Sequence, residues 1–512
     1  MKSIACALGA LGLAIGVMAT PAIGSPSVPD RPPILPALHA VDDPVHGGRI
    51  VDAGGREVLL RGVNINAEVD YWKDTPFATT FLFTDADAAR MAGIGWNTAR
   101  LLVSWSRVEP TPGHYDDAYL DDVAAKVRIL ARHGIYAVID FHQDAWGPTL
   151  AARFGAPCPE GSTRALGWDG APGWATLDGG EARCAPSGIR EISPAVLAAF
   201  NAFWDDAPGP GGVGIRTRYA RMVGHVAGRF ARTSSVAGYD VMNEPNAYGP
   251  DEAQSLADLY GSAVRSIRRA EDAAGGRHHL VLFEPSIVWS DTGRGVPPVF
   301  TDDPDIVYAP HLYMGGFDDG PITADQFQRA RDDAATFGGV PIVSGEWGSG
   351  PDRAAPSGDR YFVEHQALQD RFHVGATLWT WRESCGDPHK VGDIRAGRTP
   401  SVWGEFDVDC RTNTVTGVRT DLVRQLRRGY VRAAPGRLVD TSFDPVRRSL
   451  TASGAAAAQG VTLELYFPAG PTHLEVTVTG LRAVRLQPAP GGATSLTGRA
   501  TGGAWSVRLT RV

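Results

Sequence analysis

The sequence predicts an α/β protein, a (β/α)8 TIM barrel followed by a small all-β sandwich. Three observations carry that prediction. Eight short runs rich in β-branched and aromatic residues alternate with stretches of helical period between residues 58 and 432. From about Ala433 the period changes to two, in runs parted by Gly, Pro and Asp. A chain of 512 residues is too long for one average domain but suits a barrel with insertions and an appendage.

Taken in order, residues 1–24 read as an export signal. Lys2 supplies the positive start, Ile4 to Ala19 are apolar or small, and cleavage is expected after Ala22 or Gly24. The apolar run is shorter than the ~20 residues of a spanning helix, and no later stretch is apolar enough to span. Cys6 falls inside the signal and no Cys stands at the cleavage site, which argues against a lipid-anchored form. Residues 25–44 are proline-rich and read as a tether, leaving 45–432 for the barrel and 433–512 for the sandwich.

The barrel strands are expected at VLLRGVN (58–64), WNTARLLVSW (96–105), IYAVIDFH (135–142), VAGYDVMNE (236–244), HLVLFE (279–284), IVYAPHLY (306–313), VPIVSGEW (340–347) and VGATLWTW (374–381). Helical periods occupy 84–93, where Thr84 can cap, then 117–133, 215–232, 251–274, 323–337, 358–372 and 417–431. Only 285–305 fits poorly, and a short or irregular helix is expected there. Residues 144–214 form a long insertion after strand three, carrying Trp146, Trp168, Trp174, Trp204 and two cysteines. Its place at the C-terminal end of a barrel strand puts it beside the expected active site. The sandwich holds one tryptophan, Trp505, and reads as a structural appendage rather than a sugar-binding module.

A formal charge of −8 argues against nucleic acid or an anionic membrane as the main partner. Four cysteines remain after the signal: Cys158, Cys184, Cys385 and Cys410. An even number in an exported chain favours disulfides, most simply Cys158–Cys184 and Cys385–Cys410 by proximity, with three pairings formally open. No CxxC or HExxH spacing occurs, so neither a metal nor another cofactor is expected. No G-x-S-x-G elbow or P-loop is present, and GPGGVG (209–214) reads as a flexible loop.

In such a barrel, catalytic groups stand at the C-terminal ends of the strands. Those ends deliver Asn64, Arg100, His142, Asp144, Asn243, Glu244, His311, Tyr313, Glu346, Trp379 and Trp381. A lone His or Asn there is usually structural, but a full ring is hard to explain by stability. Retaining glycoside hydrolysis needs two carboxyls about 5–5.5 Å apart, one protonated and one ionised. Glu244 in NEP and Glu346 in SGEWG, on strands four and seven, fit those jobs. Glu244 as the acid should titrate high, through partial burial and the other carboxylate's charge; Glu346 as the nucleophile should titrate low, beside Arg100 and Tyr313. Asn243 can hold a sugar 2-hydroxyl if it turns inward, and His142 and His311 suit hydroxyl binding. Trp379 and Trp381 share a face by period two, so either can floor a sugar ring.

NTAR, DFHQD, MNEP, PHLY, SGEWG and LWTW together resemble glycoside hydrolase family 5, a group of retaining β-glycosidases. LLRGVN, ARLLVSWSRVEPTPGHYDDAYL, GIYAVIDFHQDAWG and the late SFDP region are similar, more narrowly, to endoglycoceramidases. The resemblance implies Glu244 as acid/base, Glu346 as nucleophile, and Arg100, His142, Asn243, His311 and Tyr313 as their support. It further implies that His142 and Asp144 hold the first sugar and that Trp379, with Trp381 in reserve, stacks on it. The lysine that endoglycoceramidases carry after the first strand is replaced here, in NINAEVDYWKD, by Glu68, with Lys73 further on.

The expected activity is hydrolysis between oligosaccharide and ceramide by a secreted enzyme. The alternatives are a β-glucosidase of glucosylceramide or steryl glucosides, a cellulase-like glucanase, and a non-catalytic glycolipid-binding barrel. The expected partners are a glycolipid or β-glucoside substrate and, transiently, a membrane or micelle surface; the default state is a monomer. Phe77, Phe81, Leu82, Phe83 and Trp289 are candidates for an apolar trough that would take the lipid.

Overall fold

The computed structural model describes residues 34–249, 251–317, 321–350, 355–468 and 474–511. The export signal and the first part of the proline-rich segment lie outside the described residues. Eight parallel strands form the barrel: β1 Arg61–Glu68, β2 Thr98–Ser104, β3 Tyr136–His142, β4 Val236–Asp240, β5 Leu280–Phe283, β6 Ile306–Tyr308, β7 Val343–Trp347 and β8 Gly375–Leu378. They pair in the order β6-β5-β4-β3-β2-β1-β8-β7, and a parallel bridge between Tyr308 and Ile342 closes the ring. The strands are shorter than their apolar runs. β4 stops at Asp240, β6 at Tyr308 and β8 at Leu378, so MNEP, PHLY and WTW belong to the loops that follow.

The principal outer helices are α1 Asp85–Ile94, α2 Asp117–Arg132, α3 Ile215–Phe230, α4 Glu252–Ala273, α5 Asp325–Thr336, α6 Ala355–Phe372 and α7 Thr420–Leu426. Thr84 and Asp87 close a capping box on α1, each side chain accepting from the other's backbone N–H. Between β5 and β6 only one helical turn forms, Trp289–Thr292. Along β2 and β3, Ala99, Leu101, Ala137, Ile139 and Phe141 pack under the helices, while Arg100, Asp140 and His142 turn into the barrel.

The two ends of the chain meet. Strands Leu38–Val41, Arg49–Asp52 and Arg56–Val58 continue, through Arg56–Val58 against Tyr430–Pro435, into a seven-stranded sheet with Thr462–Phe467, Ala493–Ala500 and Leu481–Ala489. A four-stranded sheet of Arg437–Asp444, Ser449–Ala457, Gly503–Arg511 and Leu474–Thr479 completes the C-terminal region. This corrects the tether reading of residues 25–44 where they are described, and it shows that a cut at 432/433 falls inside a strand. The reason is physical. Strands of three or four residues carry too little periodicity to register, and α7 ends at Leu426 rather than 431 because the chain from Tyr430 enters the sheet, pairing first with Tyr466 and Leu465 and, from Ala433, with the N-terminal strand Arg56–Val58. Leu38, Ile50 and Val58 pack with Leu60, Val138, Leu280, Leu282, Val307 and Val343, so the N-terminal strands stopper the apolar end of the barrel.

The C-terminal sheet also grips α1. Tyr466 donates to Gly93 O (2.9 Å) and Tyr430 to Gly95 O (2.7 Å). Gly95 ends α1 at φ +107°, and a Cβ there would overlap the Tyr466 ring. Gly134 has φ +72° but open space around it. Gly95→Ala is therefore expected to cost about 1–3 kcal/mol more than Gly134→Ala in denaturant unfolding, the excess being overpacking against Tyr466. Equal costs would show that only backbone strain matters.

Candidate active site

Arg100, at mid-barrel and fully buried, is the hub of the site. Its NH1 donates to Glu346 Oε1 (3.1 Å) and Asn64 Oδ1 (3.1 Å), and its NH2 to Glu284 Oε1 (3.0 Å) and Asn243 Oδ1 (3.0 Å). Nε donates to Asp240 Oδ2 at 2.9 Å, and Asp140 Oδ1 lies 2.9 Å from NH2. Burial works against the charge, but four carboxylates outweigh it and hold the guanidinium charged more firmly than usual.

Around this cation Glu244 and His311, on loops, meet Glu346 on β7, with one carboxylate oxygen of each glutamate and a ring nitrogen all within 4.8 Å of one another. Glu346 is held on both oxygens, by Arg100 and by the Tyr313 hydroxyl donating to Oε2 at 2.7 Å. Glu244 sits past the end of β4 at φ +38°, a strained backbone for a glutamate. Gln143 Nε2 secures the turn by donating to the carbonyls of Asn243 (2.8 Å) and Glu244 (3.0 Å). The same turn swings Asn243 inward, where its Nδ2 donates to Gln143 O at 3.1 Å while Arg100 holds its oxygen. His311 Nδ1 bonds Glu244 Oε1 at 2.9 Å and stands 3.6 Å from Glu346 Oε2.

The protonation pattern reverses the expected one. Burial, reinforced by the charge of Glu244, pushes Glu346 above the ordinary carboxyl range despite His311 and Arg100. Burial also pushes Glu244 up, but the hydrogen bond and charge of His311 overcome it and leave Glu244 low. The cause is the position of one shared cation, nearer to Glu244 than to Glu346. Burial opposes the charge on His311, yet Glu284, Glu346 and Glu244 together raise it well above the usual histidine range. The Glu244 side chain is 22% exposed and that of Glu346 7%, so Glu244 opens toward solvent and Glu346 lies deeper.

On the β3 side, His142 Nδ1 bonds Asp140 Oδ2 (2.7 Å), and its ring lies nearly parallel to Trp379 at 5.5 Å. Asp144 is held by Arg190 NH2 at 2.8 Å. Arg190 comes from the long insertion, whose disulfide is Cys158–Cys184; it stacks on Trp168 at 3.8 Å and reaches His389 at 3.1 Å. The second disulfide is Cys385–Cys410. Three groups have metal-like spacing among the described residues: His142/Asp144/Asp169, Glu244/His311/Glu346 and Glu383/Asp387/His389. Each is already met by a cation, respectively Arg190, Arg100 and Lys390 (3.1 Å from Glu383).

Several expectations need correction. Trp381 does not share the mouth with Trp379: its Nε1 donates to Asp87 at 3.1 Å and its ring packs on Trp96 and Phe406. The period-two reading fails because β8 ends at Leu378, before either tryptophan, and strand alternation does not continue past it. The trough residues scatter too. Phe83 and Trp289 are core, Phe77 packs on the Cys385–Cys410 bridge, Phe81 lies under Arg382, and only Leu82 is widely exposed. Glu68 is tied to Lys126 at 3.1 Å rather than facing the site, while Lys73 is exposed.

The sequence reading missed Asp140, Asp240, Glu284 and Arg190. Glu284 was the most accessible of these, since it follows Leu280 and Leu282 on the barrel-facing side of strand five, at the same height as Glu244 and Glu346. Nothing in the insertion marked Arg190.

The sequence profile for cellulase (glycosyl hydrolase family 5) matches residues 51–384. Endoglycoceramidase I of Rhodococcus hoagii (strain 103S) is 28% identical over 286 residues, 52% of this chain and 52% of that protein. The match thus spans about half the length of that relative. A glucosylceramidase of Aspergillus fumigatus is 29% identical over 199 residues, 35% of this chain and 23% of that protein. Among solved structures, an endogalactoceramidase superposes with a TM-score of 0.81 at 34% identity, covering 93% of this chain and 100% of that one. Endo-glycoceramidase II from Rhodococcus sp., captured as a lactosyl-enzyme intermediate, gives a TM-score of 0.67 at 26% identity over 90% and 99% of the two chains. The chain belongs to glycosyl hydrolase family 5 and is a glycoside hydrolase.

Proposed function

We propose that the protein is a secreted, retaining endo-β-glycosidase that releases the oligosaccharide from glycosphingolipids. The observation that carries the reading is the Glu244–Glu346 pair, close enough for double displacement and unequally environed. Glu346, gripped by Arg100 and Tyr313, attacks the anomeric carbon; Glu244, more open, protonates the departing oxygen and then activates water. Asn243, oriented by Arg100 and Gln143, binds the sugar 2-hydroxyl, and Trp379 with His142 floors the ring. Forming the glycosyl ester neutralises Glu346, which changes the field on His311 and Glu244 between the two half-reactions. The lactosyl-enzyme form of endo-glycoceramidase II supports the covalent route.

The lipid side of this reading rests on the relatives' names and on exposed apolar groups. Leu82, Phe154, Ile189 and Phe317 are 82%, 98%, 49% and 67% exposed, on loops that follow β1, β3 and β6. They stand on the face that carries the carboxylates and suit brief contact with a membrane or micelle. The two disulfides support an extracellular site of action. A second reading, exo-acting β-glucosidase, is favoured by the likeness to a glucosylceramidase.

Glu346→Gln is expected to lower turnover of an activated aryl glycoside by about 10⁴-fold or more; retained turnover would remove Glu346 as nucleophile. Glu244→Ala should lose about 10²–10⁴-fold on poor leaving groups, far less on a dinitrophenyl glycoside, and be rescued by azide. Failure of rescue would count against its role. With purified glycosphingolipids, mass spectrometry is expected to find intact oligosaccharide plus ceramide. Release of only a monosaccharide from glucosylceramide would replace this reading by the second.

A further inference from the structure

Glu284 closes strand five and takes part in none of the steps above, yet it is buried among the reacting groups. Its Oε2 accepts the backbone N–H of Glu244 at 2.9 Å, and its Oε1 accepts Arg100 NH2 at 3.0 Å. Its own backbone is pinned on both sides by the Tyr260 hydroxyl, which donates to Glu284 O (2.8 Å) and accepts from Glu284 N (3.1 Å). Oε1 also stands 3.2 Å from His311 Nε2 in an ion pair bent off the hydrogen-bond line. The imidazole thus lies between two carboxylates, Glu244 on Nδ1 and Glu284 on Nε2.

We propose that Glu284 is a positioning residue that keeps the Nε2 proton on His311, so that the proton between His311 Nδ1 and Glu244 Oε1 is the one that moves. The proposal rests on Glu244 being the acid/base. Before substrate binds, His311 is doubly protonated and Glu244 ionised. When substrate enters, the Nδ1 proton passes to Glu244 Oε1 and on to the glycosidic oxygen, as the C1–O bond breaks and the bond from C1 to Glu346 forms. His311 is left neutral, its Nε2–H still facing Glu284. In the second half, water attacks C1, the ester to Glu346 breaks, and the water's proton goes to Glu244 and back to Nδ1. The arrangement accounts for an acid/base that titrates low before substrate binds: its proton is stored 2.9 Å away, on His311. A bent contact that straightens when substrate is bound is usual for catalytic hydrogen bonds.

The charged and titratable groups that set this proton's affinity come from every side. Glu244 follows β4, Glu284 follows β5, Glu346 is on β7 and Tyr313 is on the loop that carries His311; Arg100 on β2 bonds both Glu284 and Glu346. Asp144 and Arg190 act on Glu244 from the β3 side. Glu284 is the member that faces His311 without reacting. Removing its charge weakens the hold on the shared proton, so the active, singly loaded His311–Glu244 pair empties at lower pH.

The test is kcat/KM against pH for Glu284→Gln and Glu284→Asp, with a phenyl glycoside that needs the acid and a 2,4-dinitrophenyl glycoside that does not. In Glu284→Gln the basic limb for the phenyl glycoside is expected to fall by about one pH unit or more. The dinitrophenyl glycoside should lose far less at neutral pH, and Glu284→Asp should return the limb toward its original position. ¹⁵N resonances of His311 in the full-length chain, assigned against His311→Gln, should move with the limb. An unmoved basic limb, or equal losses on both substrates at every pH, would overturn the proposal and leave Glu284 a packing residue. If Glu244→Gln itself failed to discriminate the two leaving groups, the acid/base assignment would fall, and the relay with it.

Discussion

The site is organised by one buried cation. Arg100 has no exposed surface and is surrounded by Asp140, Asp240, Glu284 and Glu346, with Asn64 and Asn243 on its remaining hydrogens. Removing an arginine from water costs several kcal/mol unless its charge and donors are matched, and here five strands supply the match. The constraint runs both ways. Asp140 and Asp240 would be uncompensated charges inside the barrel without Arg100, and without them the guanidinium would not be fixed against Glu346. The apolar end of the barrel, stoppered by Leu38, Ile50 and Val58, keeps this polar layer away from solvent on the other side.

From that anchor the charges form a chain rather than a list. Arg100 grips Glu346 and Glu284; Glu284 reaches His311 and the backbone of Glu244; His311 bonds Glu244 and faces Glu346. The carboxylates and the imidazole therefore set one another's proton affinities. That is why Glu244 lies low and Glu346 high, the reverse of the order that the proposed double displacement needs as the glycosidic bond breaks.

The barrel was legible because eight apolar, β-branched runs alternate with helical stretches, and most of those runs carry a polar or aromatic residue toward their C-terminal end. Glu244 and Glu346 could be read for the same reason. What stayed hidden depends on contacts with no local signature. The three N-terminal strands are too short to show a period and gain their structure from pairing with the C-terminal sheet. Trp381 was read to the wrong side because the strand ends before it. Arg190 is one arginine in a long insertion, and only the folding of that loop carries it to Asp144. The acids inside β3 and β4 were visible as charges in apolar runs, and their partner Arg100 was visible too; the pairing needed the closed ring.

The most direct measurement is mass spectrometry of the protein treated with a 2-deoxy-2-fluoro glycoside bearing an activated leaving group, which slows release of a covalent intermediate, combined with NMR of the anomer first released from a normal substrate. One glycosyl adduct is expected, on the peptide containing Glu346, together with a product that retains the β configuration. An adduct on Glu244, or an inverted product with no adduct, would contradict the proposed double displacement.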